Sequence, residues 1–277
     1  MNMTIDDLDD DFPIIQEGGD ARKLCARPIE DGAPVPMHTF GETPTTRLIP
    51  MSEWMECDLS HFASPIKDQN GIGACNAIAT VNALEACRRM KGLPDVTLSP
   101  GDLYSRINGG RDRGSLPEDA LRVALESGIA TAASVPVLNW RSPINNAATQ
   151  SERARYRFTE ALWCPTFAHA ASALQQGFVL DTAVWWYQYD APDADGWLKD
   201  RGSGSRGGHA IMGCGLVRRG STWGIKIANS WGRAWGRDGF GVLPQARCEA
   251  GTPVFRWWAL REVVQEPGDL PTPKFHD

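Results

Sequence analysis

PIKDQNGIGACNAIATVNALEACRRM, residues 65–90, decides how this chain is read. A polar loop opens at Pro65, tightens through Gly71 and Gly73, reaches Cys75 and then turns helical. Ala77, Ile78, Val81 and Leu84 recur at helical spacing, which predicts a helix with one buried stripe. Cys75 therefore stands where a glycine-rich turn feeds a helix N-terminus. Unpaired N–H groups and the positive end of the helix dipole there favour a thiolate. Gln69 lies six residues upstream (75 − 69), on the loop that must fold back beside the cysteine. Its side-chain amide is placed to donate to an oxyanion formed when Cys75 attacks a carbonyl. Taken alone, a cysteine at a helix start is most often just a small buried hydrophobe.

The far end of the chain changes that balance. It reads GGHAIMGCGLV over 207–217 and WGIKIANSWGRAWGRDGFGVL over 223–243. His209 follows Cys75 by 134 residues (209 − 75), and Asn229 follows His209 by 20 (229 − 209). Singly, His209 reads as a satisfied strand residue and Asn229 as a turn residue. Jointly, a Cys, a His and an Asn in this order match a nucleophile, its proton partner and the group that orients that partner.

With these motifs the chain resembles the papain-like cysteine peptidases. The likeness rests on Gln69, Gly73-Ala74-Cys75, His209, and Asn229-Ser230-Trp231-Gly232 followed by Trp235-Gly236. Leu98-Ser99-Pro100 and Gly114-Ser115-Leu116-Pro117 add to it, and the whole spans Leu48 to Val264. Two positions depart from the family's secreted members: Ile72 stands where they carry a cysteine, and Asn76 where they carry a tryptophan. Both resemble a divergent bacterial and viral branch.

The resemblance implies an α+β fold, a helical half and an antiparallel β-barrel half with a cleft between them. It implies Cys75 as nucleophile, His209 as proton carrier, Asn229 as orienting residue and Trp231 as the shield over their hydrogen bond. Gln69 and the Cys75 N–H would hold the oxyanion. Gly114 and Ser115 would pair an extended substrate backbone by strand addition. Pro117 and Ala210 would line the pocket for the side chain two residues before the scissile bond. The expected activity is peptide-bond hydrolysis through a thioester, on a peptide or protein substrate. A structural protein that kept the fold, as in a viral particle, and an amidase or acyltransferase with the same three residues are the alternatives.

Composition bounds the rest. The 277 residues are 42% hydrophobic and 22% charged, as in an ordinary globular chain with ample core. A net charge of −6 argues against nucleic acid as partner. No run of about 18 apolar residues is present, so no membrane span is expected. The acidic start, MNMTIDDLDDDF, is the reverse of a secretory signal. Seven scattered cysteines, an odd number, favour a reducing, cytoplasmic setting. No Cys-x-x-Cys pair and no helically spaced histidines are found, so neither metal nor cofactor is expected.

Four regions are predicted: an acidic extension over 1–47, a mainly helical half over 48–136, a mainly β half over 137–266 and a tail over 267–277. The extension carries Asp6, Asp7, Asp9, Asp10 and Asp11 and no helical stripe. It reads as a solvated segment, available to a protein partner, rather than as a propeptide over the cleft. Residues 48–60 are expected to run extended. Helices are predicted from Cys75 to about Lys91, from Ser99 through Ile107, over 117–127, 151–162 and 167–176. Asn108-Gly109-Gly110 should break the second, leaving Arg111-Asp112-Arg113 as an exposed loop. His169 reads as structural or solvated. Strands are predicted within 178–189, from 209 and from 223, then over 240–243 and 255–264.

Overall fold

The computed structural model describes residues 14–17, 20–28, 38–252 and 254–265. The aspartates of the first eleven residues and the tail from 267 lie outside the described residues.

A short hairpin, β1 (Ile14–Glu17) and β2 (Asp20–Lys23), comes first, followed by β3 (Cys57–Asp58). The stretch expected to be extended is instead broken by 3-10 turns at Met51–Glu53 and Ser60–Phe62. The helical half is α1 (Cys75–Met90), α2 (Pro100–Ile107) and α3 (Pro117–Glu126). There follow α4 (Ala147–Arg153), β4 (Leu162–Trp163) and α5 (Phe167–Gln175). The β half is β5 (Val179–Tyr187), β6 (Arg206–Arg219), β7 (Thr222–Ala228) and β8 (Phe240–Pro244), then α6 (Gln245–Gly251) and β9 (Trp258–Leu260). Seven strands make one antiparallel sheet in the order β4-β9-β5-β6-β7-β8, with β3 added to β6. The chain is thus an α+β protein of a helical and a β half.

α1 is the element the halves share. Residues Cys75 to Arg88 are all buried, so the single stripe expected from periodicity is too narrow. The helix packs on α2 and α3 on one side and on β5 and β6 on the other. Ala77, Ala79, Ala83 and Ala86 keep it slim enough for both approaches, and alanine is the best helix former. It ends where Gly92 takes φ +67°.

The helical half is pinned from inside. Ser99 caps α2 by accepting the Asp102 N–H at 3.0 Å. The buried Asp102 carboxylate takes Arg153 at 2.6 Å and Arg106 at 3.0 Å, and accepts the Ala130 N–H at 2.9 Å. That ion pair explains a misplaced helix. The sequence predicts one over 151–162, but α4 starts at 147 because Asn146 and Thr149 form a capping box, and it ends once Arg153 reaches Asp102.

Two strands carry the site. β6 holds His209 and pairs with β7 from Met212↔Ala228 onward, with a register shift between Gly213 and Gly215. Asn229, one residue past β7, is thereby set beside His209.

Candidate active site

Cys75 is the first residue of α1, after a turn in which Gly71 takes φ +76°. Its sulfur is fully buried, and burial pushes the thiol up to about 11. The backbone N–H groups of Ala210, Cys25, Asn76 and Cys75 itself oppose that shift without cancelling it. The thiolate expected from the helix terminus is therefore not favoured in this state: desolvation outweighs the dipole and the aimed N–H groups.

His209 Nε2 lies 2.7 Å from Asn229 Oδ1. The Ser230 N–H also donates to that Oδ1 at 2.7 Å, which identifies the atom as an acceptor and places a proton on Nε2. Nδ1 keeps its lone pair and is buried without a hydrogen-bond partner. Trp231 lies over the imidazole with centroids 4.6 Å apart and planes at 30°, and Trp186 meets it edge-on at 5.1 Å. Water is excluded, and burial drives His209 down to about 4, helped by the nearby Arg22 charge and resisted by Asn229. The Ala210 N–H, one residue along β6, points at the Cys75 sulfur, but the thiol makes no hydrogen bond to His209 Nδ1. Both are neutral here.

Gln69 is oriented by its own oxygen. Oε1 accepts from Ser230 Oγ at 2.8 Å and from Trp231 Nε1 at 3.1 Å. Nε2 is thus turned outward as a donor, to Ile72 O at 2.8 Å and to Lys23 O at 3.1 Å.

That last bond overturns the reading of the N-terminal region. Residues 22–28 are not a solvated extension; they form a strap through the cleft. The Ala26 N–H donates to Gly208 O at 2.8 Å, the Arg27 N–H to Ser115 O at 3.0 Å, and the Ser115 N–H to Cys25 O at 3.3 Å. Ser115 and Ala26 form a parallel bridge, so the edge expected to receive a substrate backbone holds the chain's own. A Cβ on Gly114 would lie 2.0 Å from Cys25 O, and one on Gly208 1.8 Å from Ala26 O; only glycine admits so close a strand. Arg22 binds Asp68 at 2.6 Å and Lys23 binds Asp112 at 3.1 Å. Leu24, Cys25 and Ala26 join the buried core that also holds Cys75, Ala210 and Trp231. Composition hid this, because five aspartates dominate a segment whose working residues are a short basic and apolar run.

The remaining expected residues fall as follows. Ala210 and Trp231 adjoin Cys75 and His209 as described, whereas Pro117 opens α3 two residues past Ser115 and is buried there. Asn76, in place of a tryptophan, donates to Ser115 O at 2.6 Å and to its Oγ at 3.0 Å, bracing the receiving edge. His169 contacts the α5 cap residue Thr166 at 2.7 Å, away from the cleft residues. All seven cysteines are free. Among the described residues no group of side chains is arranged to hold a metal ion, and no helix is long and apolar enough to cross a membrane. One cleft residue escaped sequence reading: Asp112, taken for part of an exposed loop, accepts the Gly73 N–H and the Tyr104 hydroxyl at 2.8 Å each.

The family model of papain family cysteine proteases matches residues 53–253, well over half of the chain. The chain belongs to the papain family of cysteine proteases. A curated member, cysteine endopeptidase RepA of Oryza sativa subsp. japonica, is 26% identical over 248 residues. That match covers 87% of this chain but only 64% of the rice protein. Two solved structures share the fold. Xylellain, a cysteine protease from Xylella fastidiosa, matches with TM-score 0.67 and 19% identity over 86% of this chain and 97% of its own. ProCathepsin B S9 from Trypanosoma congolense matches with TM-score 0.69 and 18% identity over 87% of each chain.

Proposed function

We propose that this papain-family chain is a cysteine endopeptidase, built here in a latent form. Cys75 Sγ attacks a peptide carbonyl while His209 Nδ1 takes the thiol proton. The Gln69 amide and the Cys75 N–H hold the oxyanion, each such donor contributing about 2.7–4 kcal/mol in the transition state. His209, held by Asn229, passes its proton to the leaving amine; a thioester on Cys75 results. Water, deprotonated by His209, then releases the acid product.

The observation that carries this reading is the Lys23 carbonyl 3.1 Å from Gln69 Nε2, with the next-but-one N–H at the Cys75 sulfur. A peptide segment already lies against the donor and the nucleophile. The strap also accounts for latency. With the thiol held near 11 and the imidazole near 4, proton transfer between them is strongly uphill. Displacing the strap readmits water and relaxes both shifts. The proCathepsin relative, named for a pro form, supports a latent reading.

The test is hydrolysis of a casein or fluorogenic peptide substrate by the chain and by Cys75→Ala. Turnover that vanishes in the variant is expected; equal turnover contradicts the assignment.

A further inference from the structure

We infer that Asn76 is a positioning residue for peptide substrates, aiming the Ser115 carbonyl at the backbone N–H that docks there. This rests on the peptidase reading above and adds how the cleft holds a chain against Cys75.

Asn76 follows the nucleophile and is buried in the first turn of α1. It stands where the family's secreted members carry a tryptophan, which has a single side-chain N–H to give. Asn76 Nδ2 gives two hydrogens, one to Ser115 O at 2.6 Å and one to Ser115 Oγ at 3.0 Å. A carbonyl oxygen cannot donate, so the first bond fixes which end of the amide is nitrogen. That carbonyl oxygen has two lone pairs. Asn76 takes one, and the other accepts the Arg27 N–H at 3.0 Å. The second lone pair is therefore the docking position, and it accepts an N–H whichever way the docked segment runs.

The edge is tied to the nucleophile from both sides. Gly114, at φ +73°, lets the peptide before Ser115 swing at little steric cost. Two polar ties oppose that freedom: Asp112 accepts the Gly73 N–H at 2.8 Å, and Asn76 holds Ser115. Residues 73 and 76 flank Cys75, so the receiving carbonyl is set relative to the sulfur itself.

Asn76 is also kept at a cost in stability. Its Oδ1 is buried and has no hydrogen-bond partner among the described residues. An unpaired buried acceptor destabilises, and a leucine of nearly the same shape carries none. Packing alone gives no reason for that orphaned oxygen; two donors aimed at the receiving edge do.

The test separates aim from packing. The background is the full chain with Arg22→Ala and Lys23→Ala, which frees the strap from Asp68 and Asp112. Asn76→Leu is added to it. Both proteins are treated with a peptidyl chloromethyl ketone and with a twin N-methylated on the second residue before the reacting bond, the amide assigned to Ser115. The Cys75 thiol gives up its proton, its sulfur displaces chloride, and mass mapping detects the thioether. In the background the unmethylated reagent should label Cys75 about tenfold faster than its twin. Asn76→Leu should slow the unmethylated reagent about tenfold and bring the pair to within about threefold. Iodoacetamide, which has no peptide to dock, should label both proteins at rates within about twofold. The Tm of the Asn76→Leu protein should be no lower than the background's.

Equal labelling of the two proteins by the unmethylated reagent overturns the proposal, and so does a background blind to methylation. A lower Tm with iodoacetamide slowed as much as the ketone is a structural result and overturns it too. Asn76→Ala is read in the same way if Asn76→Leu does not fold; failure of both to fold makes Asn76 structural. Peptide hydrolysis by the background is read alongside. Hydrolysis with labelling indifferent to Asn76 sinks the positioning role and leaves the peptidase standing. Labelling that depends on Asn76 without hydrolysis keeps the role and sinks the peptidase.

Discussion

Gln69 donates its side-chain amide to the carbonyl of Lys23 at 3.1 Å. The bond joins the loop before the nucleophile to a segment that the sequence alone places in solvent. It also shows which way the Gln69 amide is turned. Its oxygen is engaged by Ser230 and Trp231, so only the NH₂ group remains to serve the cleft.

Gln69→Ala should therefore lower kcat by about 10²–10³. Thiol alkylation of Cys75 should not slow, because alkylation forms no oxyanion and the strap loses a bond. Steady-state kinetics beside iodoacetamide labelling checks both halves. Parental turnover in the variant would remove Gln69 from the mechanism.

In the strapped chain the Cys75 thiol is held near 11. Since the thiolate is the reactive form, its labelling should be slow at pH 6 and should rise about tenfold per pH unit from 6 to 9, without levelling. Mass-mapped labelling across that range reads it. A plateau by pH 7 would mean a thiolate already formed under the strap.

The principal elements were legible because their signals are local. The 75–90 helix, the Ser99 cap, the 117–126 helix and the long strand pair all follow from periodicity, proline and glycine. Order and spacing singled out Cys75, His209, Asn229 and Gln69 together; the fold sets Asn229 2.7 Å from His209 and joins Gln69 to Ser230 and Trp231. What could not be read depended on pairing across the chain. Arg22 and Lys23 acquire meaning only opposite Asp68 and Asp112, which lie 46 and 89 residues away. The thiol and imidazole shifts come from burial beneath that strap, a property of no single residue type.

Asp181 makes stability fall with pH. It is fully buried beside β6, donated to by Thr80 at 2.5 Å, and burial with the Glu118 charge raises it from 3.8 to about 7. The folded state then holds a proton the unfolded chain gives up. Stability is complete below about pH 4, falls as pH rises, and has lost the full amount above 7. Asp181→Asn, which can still accept from Thr80, should raise Tm by several degrees at pH 8 and by almost nothing at pH 4. Thermal melts at both pH values decide it; an equal shift at both would point to packing rather than charge.

Asp102 holds Arg153 and Arg106 together in the helical half. Asp102→Ala strands the buried Arg153 guanidinium and the partly buried Arg106 and should cost about 3–5 kcal/mol. Urea denaturation measures this. A loss under about 1 kcal/mol would show that the network contributes little.

The central claim is that a competent cysteine nucleophile lies beneath the strap. Arg22→Ala with Lys23→Ala in the full chain cuts the strap's ion pairs to Asp68 and Asp112 and leaves Cys75, His209, Asn229 and Gln69 untouched. The measurement is peptide hydrolysis by that double variant, against the parent and against the same variant carrying Cys75→Ala. Turnover about tenfold or more above the parent, abolished by Cys75→Ala, is the predicted result. Turnover no higher than the parent's, or turnover that survives without Cys75, would contradict the account.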